Sequence, residues 1–174
     1  MKKFITLFIL LVLATKTMER LPDIKLTPIP MSEPTQVEKF MKRIAIIESD
    51  NNHRVVNEFG MMGKYQFSPS TVRVLGFNVS KKEFLNNTHL QDTVMMAYMK
   101  ANHRDLKPLI KKYDGRIVNG VKVTRAGILA GAHFAGSGNL VAFFNSSGEG
   151  ISDARGTTVK KYMSYFSNFY LPEI

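Results

Sequence analysis

From Thr35 onward apolar residues recur at helical spacing, with Val37, Phe40, Met41, Ile44 and Ile47 on one face. Thr35 and Glu38 form a capping-box pair ahead of that run, which predicts a helix starting there and ending at Glu48. The stretch from Asp50 to Gly63 is rich in Asn and Gly and holds no sustained period, so it reads as loop or short irregular strand. Ser68 followed by Pro69 marks the start of a second helix. Thr88 with Gln91 repeats the capping-box spacing before Leu90, Val94, Ala97 and Tyr98, predicting a long helix that Pro108 ends or bends. Between Arg116 and Val123, Asn119-Gly120 lies between β-branched residues and predicts a small hairpin. Thr124 caps an apolar helix through Ile128, Leu129 and Ala132 to His133, which Gly136-Ser137-Gly138 breaks. A last helix runs from Thr158 through Tyr162, Tyr165 and Phe166. The expected fold class is mainly α (α+β), one domain with a small β-hairpin.

The N-terminal residues follow a different pattern. Lys2 and Lys3 precede an apolar run from Phe4 to Ala14, short for a membrane span and arranged like the charged and hydrophobic regions of a secretory signal. The competing reading is a buried N-terminal helix. Four prolines between Glu19 and Pro34 (Pro22, Pro28, Pro30 and Pro34) read as an extended linker. The expected division is therefore residues 1–18 as signal peptide or membrane anchor, 19–34 as linker and 35–174 as the folded domain. Export to the periplasm or cell envelope follows, with residues 4–14 holding the chain at the inner membrane if they are not removed.

Composition narrows the chemistry. A hydrophobic share of 44% is enough for a core in a chain of 174 residues. The absence of cysteine excludes disulfides, a thiolate nucleophile and a cysteine metal site. The histidines, His53, His89, His103 and His133, have no short ligand spacing, so no metal or other cofactor is expected. A net charge of +10 draws the protein toward polyanions, although its Lys and Arg are scattered and equally suit a solvated surface. Nucleic acid is not the expected partner, given the export signal and the lack of a recognisable reading motif.

Glu48 follows Ile44, Ala45, Ile46 and Ile47 and precedes a polar loop. A carboxyl at such a helix end is partly desolvated, which favours the protonated acid able to serve a departing sugar oxygen. Alone, a glutamate at a helix end is usually just solvated. The spacing around it adds more: Glu48-Ser49 is followed by Gly60-Met61-Met62-Gly63-Lys64-Tyr65-Gln66, in which Gly60, Gly63 and Gln66 are three apart. This resembles the soluble lytic transglycosylase family, where a Glu-Ser pair ends a helix and a Gly-x-x-Gly-x-x-Gln segment runs along the opposite side of the glycan cleft. An alanine-rich helix leading into Tyr-Asn-Ala-Gly is a second family element. Here the corresponding stretch is Ala130-Gly131-Ala132-His133-Phe134-Ala135-Gly136, with His133 and Phe134 in place of the polar pair. The segment from Asp153 through Gly156, Thr157 and Thr158 to Tyr162 is similar to tails of phage-type and mobile-element members, and together the matches span roughly residues 36–168.

The resemblance implies a lysozyme-like fold and cleavage of the β-1,4 bond between N-acetylmuramic acid and N-acetylglucosamine in peptidoglycan glycan strands. Glu48 would act as acid and then base, with Ser49, Gly63, Tyr65, Gln66, His133 and Phe134 on the substrate. Tyr65 and Gln66 would line the cleft, Tyr65 being equally readable as core. Phe67, Phe77, Phe84 and the pairs Met61-Met62 and Met95-Met96 are expected to pack inside. A hydrolytic muramidase remains open, with Asp50 or Glu58 as second carboxylate, although both also read as ordinary loop residues. So does a non-catalytic envelope or virion component that binds glycan. An envelope-spanning secretion, conjugation or phage machine is the wider partner class that such a wall-opening activity would serve.

Overall fold

Helix α1 (Gln36–Ser49) begins at the expected capping box: the Thr35 N–H donates to Glu38 Oε2 at 2.7 Å and the Glu38 N–H to Thr35 Oγ1 at 3.2 Å. The computed structural model describes residues 33–146, 151–152 and 156–172. The expected signal or anchor (1–18), nearly all of the linker (19–34) and residues 153–155 of the tail lie outside the described residues. Glu33–Ile174 forms one compact unit. It is mainly helical with a small two-stranded antiparallel sheet, the expected class. Among the described residues no helix is long and apolar enough to cross a membrane.

After α1 and an irregular loop come α2 (Pro69–Val74), capped by Ser68, and α3 (Lys81–Asn86). Helix α3 was not expected, although Ser80 and Glu83 make a full capping box. Its six residues are too few to display a period. Helix α4 (Thr88–Asp105) is capped by Asn87, whose Oδ1 accepts from the Leu90 N–H at 2.9 Å, so Thr88 is its first residue and not its cap. That one-residue shift moves Gln91 from a capping position into the interior. Pro108 sits in the first turn of α5 (Lys107–Tyr113), where its missing N–H costs nothing.

The hairpin β1 (Ile117–Val118) and β2 (Val121–Lys122) pairs Ile117 with Lys122 and Val118 with Val121. Asn119 and Gly120 both take positive φ, 50° and 77°, the conformation a two-residue turn of this hand demands. Helix α6 (Arg125–Ala135) is capped by Thr124 as expected. The break after it is confined to Gly136 (φ 85°), because Ser137 opens a further helix, α7 (Ser137–Asn145), that the glycines had concealed. Helix α8 (Val159–Phe166) follows its Thr158 cap.

Every residue of α6 from Ala126 to Ala132 is buried. Ala126, Leu129 and Ala130 belong to one core with Phe40, Ile44, Phe67, Phe84, Val94 and Phe166, and Ile128 and Ala132 to a second with Leu140, Phe143, Val159 and Met163. Phe67, Phe84, Met62 and Met95 are buried as expected. On α1 the periodicity misplaced one residue: Ala45 is in the core and Ile47, with Ile46, is over a third exposed.

Candidate functional site

The end of α1 is shaped by two consecutive non-glycine residues in the left-handed region, Asp50 (φ 53°) and Asn51 (φ 61°). Their N–H groups return to Ile46 and Ala45 carbonyls at 3.0 and 2.9 Å, stopping the helix one residue after Ser49. Such conformations cost side-chain-bearing residues energy and persist where surrounding bonds fix them. Glu48 is thereby left in the last turn, its side chain 17% exposed. Ser49 ties this turn to the facing loop, its hydroxyl donating to the Lys64 carbonyl at 2.9 Å.

That loop folds around Met62, which bridges to Val56 on one side and Phe67 on the other. Gly60, Gly63 and Gln66, the spaced residues of the sequence, all have positive φ (76°, 71° and 52°). The Gln66 side-chain amide donates to the Gly63 carbonyl at 2.8 Å, bracing the turn it belongs to. Gly63 has a second reason to lack a side chain: a Cβ there would collide with the Gln91 amide. Gln91, fully buried, accepts from the Lys64 N–H at 2.8 Å and donates to the carbonyls of His53 at 2.9 Å and Phe84 at 2.8 Å. One side-chain amide on α4 thus fixes the loop that Ser49 holds to α1 and the end of α3.

Tyr65 takes the core position, one of its two readings, while its hydroxyl end reaches a groove wall. It is 2% exposed, and its hydroxyl donates to Asp92 Oδ1 at 2.6 Å. Asp92 also holds the Lys64 ammonium at 2.8 Å. Burial, reinforced by the Asp92 carboxylate, pushes the Tyr65 phenol far up, so it remains a neutral donor. Tyr65, Lys64 and Asp92 form part of the wall of a groove of about 880 Å³ between α1 and α4, which reaches Asn51 but does not include Glu48.

His133 arrives from the last turns of α6, and its Nε2 lies 3.2 Å from Glu48 Oε1. Around its ring stand Phe67 from the loop, Tyr98 from α4 and Phe134, each nearly perpendicular to it. Phe134, expected on the substrate, stacks on Tyr162 of α8 at 4.3 Å with the rings almost parallel and is partly buried against the core. Tyr98 is a neighbour that sequence reasoning placed only on an apolar helix face. Its phenol is pushed up chiefly by burial, opposed by a hydrogen bond from Asn102 and reinforced by the charge of Glu48. No local signal in the chain marks this, since Tyr98 and Glu48 meet around His133 from different helices.

Asp50 is the left-handed cap of α1 and exposed, and Glu58 is an exposed loop residue. Among the described residues no three His, Asp or Glu side chains gather as a metal site would require. What the arrangement offers is one partly buried carboxyl beside an imidazole that three aromatic rings surround, at a helix end that Ser49 ties to a loop held by hydrogen bonds. Comparison with protein-family models, with curated proteins and with solved structures yields no match to this chain.

Proposed function

We propose that this protein is a lysozyme-like peptidoglycan lytic transglycosylase in which Glu48 is both general acid and general base. The observation that carries the reading is the Glu48 carboxyl, partly buried at the end of an apolar helix and joined through Ser49 to the Gly60–Gln66 turn. A glycosidase of the ordinary kind needs two carboxyl groups across the bond it breaks. Here Asp92 is committed to Lys64 and Tyr65, while Asp50 and Glu58 are exposed. A transglycosylase needs only one.

In this reaction the Glu48 proton passes to the glycosidic oxygen as the bond from muramic acid C1 breaks. The resulting carboxylate then takes the proton of the muramoyl 6-hydroxyl while its oxygen bonds to C1, closing a 1,6-anhydro ring. The acid is regenerated and no water is consumed. The Ser49 hydroxyl donates its proton to backbone carbonyls, so its support to a substrate N-acetyl group is as acceptor from the amide N–H. Gln66 and Gly63 would shape the wall across the glycan from the carboxyl, as the family resemblance implies. The apolar segment 4–14 would carry the chain to the periplasm or envelope, and the +10 charge would keep it on an anionic wall, as a partner of an envelope-spanning machine.

Digestion of purified peptidoglycan by the full chain, followed by mass spectrometry, tests this reading. The expected products are anhydro-muropeptides, and their release should fall at least a hundredfold in Glu48→Gln. Reducing-end products would make the enzyme a hydrolase. No product from the wild type would leave a glycan-binding envelope component.

A further inference from the structure

The His133 side chain is only 5% exposed, and both of its ring nitrogens are buried without a hydrogen-bond partner, although Nε2 lies 3.2 Å from Glu48 Oε1. The contact is short enough for a hydrogen bond but not aligned as one. Of the two groups, the imidazole is the fixed one, boxed by Phe67, Tyr98 and Phe134 at centroid distances of 5.8, 5.6 and 5.2 Å. The carboxyl is free to turn about its terminal bond.

A neutral imidazole carries one N–H, and the box decides where it sits. On Nδ1 it would be a buried donor with no acceptor; on Nε2 it points toward the Glu48 side and leaves Nδ1 as a bare lone pair, the less costly orphan. We propose that His133 is a neutral Nε2–H donor that positions the Glu48 carboxyl. It turns one carboxyl oxygen toward itself and the other toward the reacting bond. The hydrogen bond is weak while Glu48 is an acid and strengthens when proton delivery leaves a carboxylate, because charge-assisted bonds are the stronger class. His133 keeps its own proton throughout. Its effect on turnover rests on the reading of Glu48 given above, whereas its tautomer does not.

Two measurements on the full chain test this. Side-chain nitrogen NMR should find His133 protonated on Nε2 and bare on Nδ1; the opposite tautomer, or protons on both nitrogens, overturns the proposal whatever the digestion assay returns. In the digestion assay His133→Gln, whose amide nitrogen reaches the Nε2 position, should stay within a few-fold of wild-type kcat. His133→Asn reaches only the Nδ1 position, and His133→Phe keeps the box but removes the donor. Both should lose kcat about ten- to a hundredfold with KM little changed. Equal activity for the Gln and Phe variants would reduce His133 to a packing residue. If the wild type releases no product but the Nε2–H tautomer is found, the pairing stands and the enzymatic reading fails.

Discussion

Between α4 and the loop that Ser49 holds to α1, the chain is held by a polar clamp: Gln91 is buried and meets backbone groups of His53, Lys64 and Phe84. Between α6 and α8 it is held by missing side chains. Gly127 brings the α6 backbone so near that a Cβ would lie 2.9 Å from the Met163 carbonyl, and at Gly131 one would lie 3.0 Å from Leu140 Cδ1. Both regions depend on a glycine, for different reasons. At Gly63 the glycine makes room for hydrogen bonds whose partners have no substitute; at Gly127 it lets the α6 backbone lie directly against the Met163 backbone of α8. The first is a fixed geometry suited to hold one wall of a site, the second a packing that sets overall stability.

Gly63→Ala should have the largest effect on folding. It forces a side-chain-bearing residue to φ 71° and drives the Gln91 amide off its partners, for a loss of about 4 kcal/mol in chemical denaturation. In a Gln91→Ala background the collision is gone and only the backbone cost remains, about 1–2 kcal/mol, so the two substitutions should be strongly non-additive. Additive losses would show that the clamp does not set the loop. Gly127→Ala should cost about 1–3 kcal/mol, because its Cβ would meet the Met163 backbone carbonyl and α8 has to move away as a whole, and it should leave digestion of peptidoglycan near wild type at temperatures where the protein is folded. The smallest effect belongs to the exposed capping boxes. Hydrogen bonds from Thr35 hold the Glu38 carboxyl, and hydrogen bonds from Ser80 the Glu83 carboxyl, below their ordinary values. Their contribution is therefore present above the unfolded-state value and lost as pH falls through the folded one, and Thr35→Ala with Ser80→Ala should flatten the acid limb of a stability-against-pH curve.

Where the signal is local, the chain states its own structure. The Thr35–Glu38 box, the Asn119-Gly120 turn and the Ser68, Thr124 and Thr158 caps each depend on residues within four positions of one another. The same rule missed α3 and α7, the one too short for a period and the other begun by glycines that usually end helices. For the site, Glu48 at the end of α1 and the three spaced residues of the facing turn were legible, because their spacing is itself a sequence property. The partners of that turn were not. Gln91 looks like a capping residue until Asn87 takes the cap, the bond from the Tyr65 hydroxyl to Asp92 joins residues on separate elements, and the approach of His133 to Glu48 joins positions 85 residues apart.

Helix α6 has a consequence beyond the site. Because its buried faces belong to both cores, neither core can be exposed to water without stripping one side of the same helix. Opening either core therefore disturbs the packing of the other, and the amides of α6 are expected to exchange with solvent among the slowest of the unit.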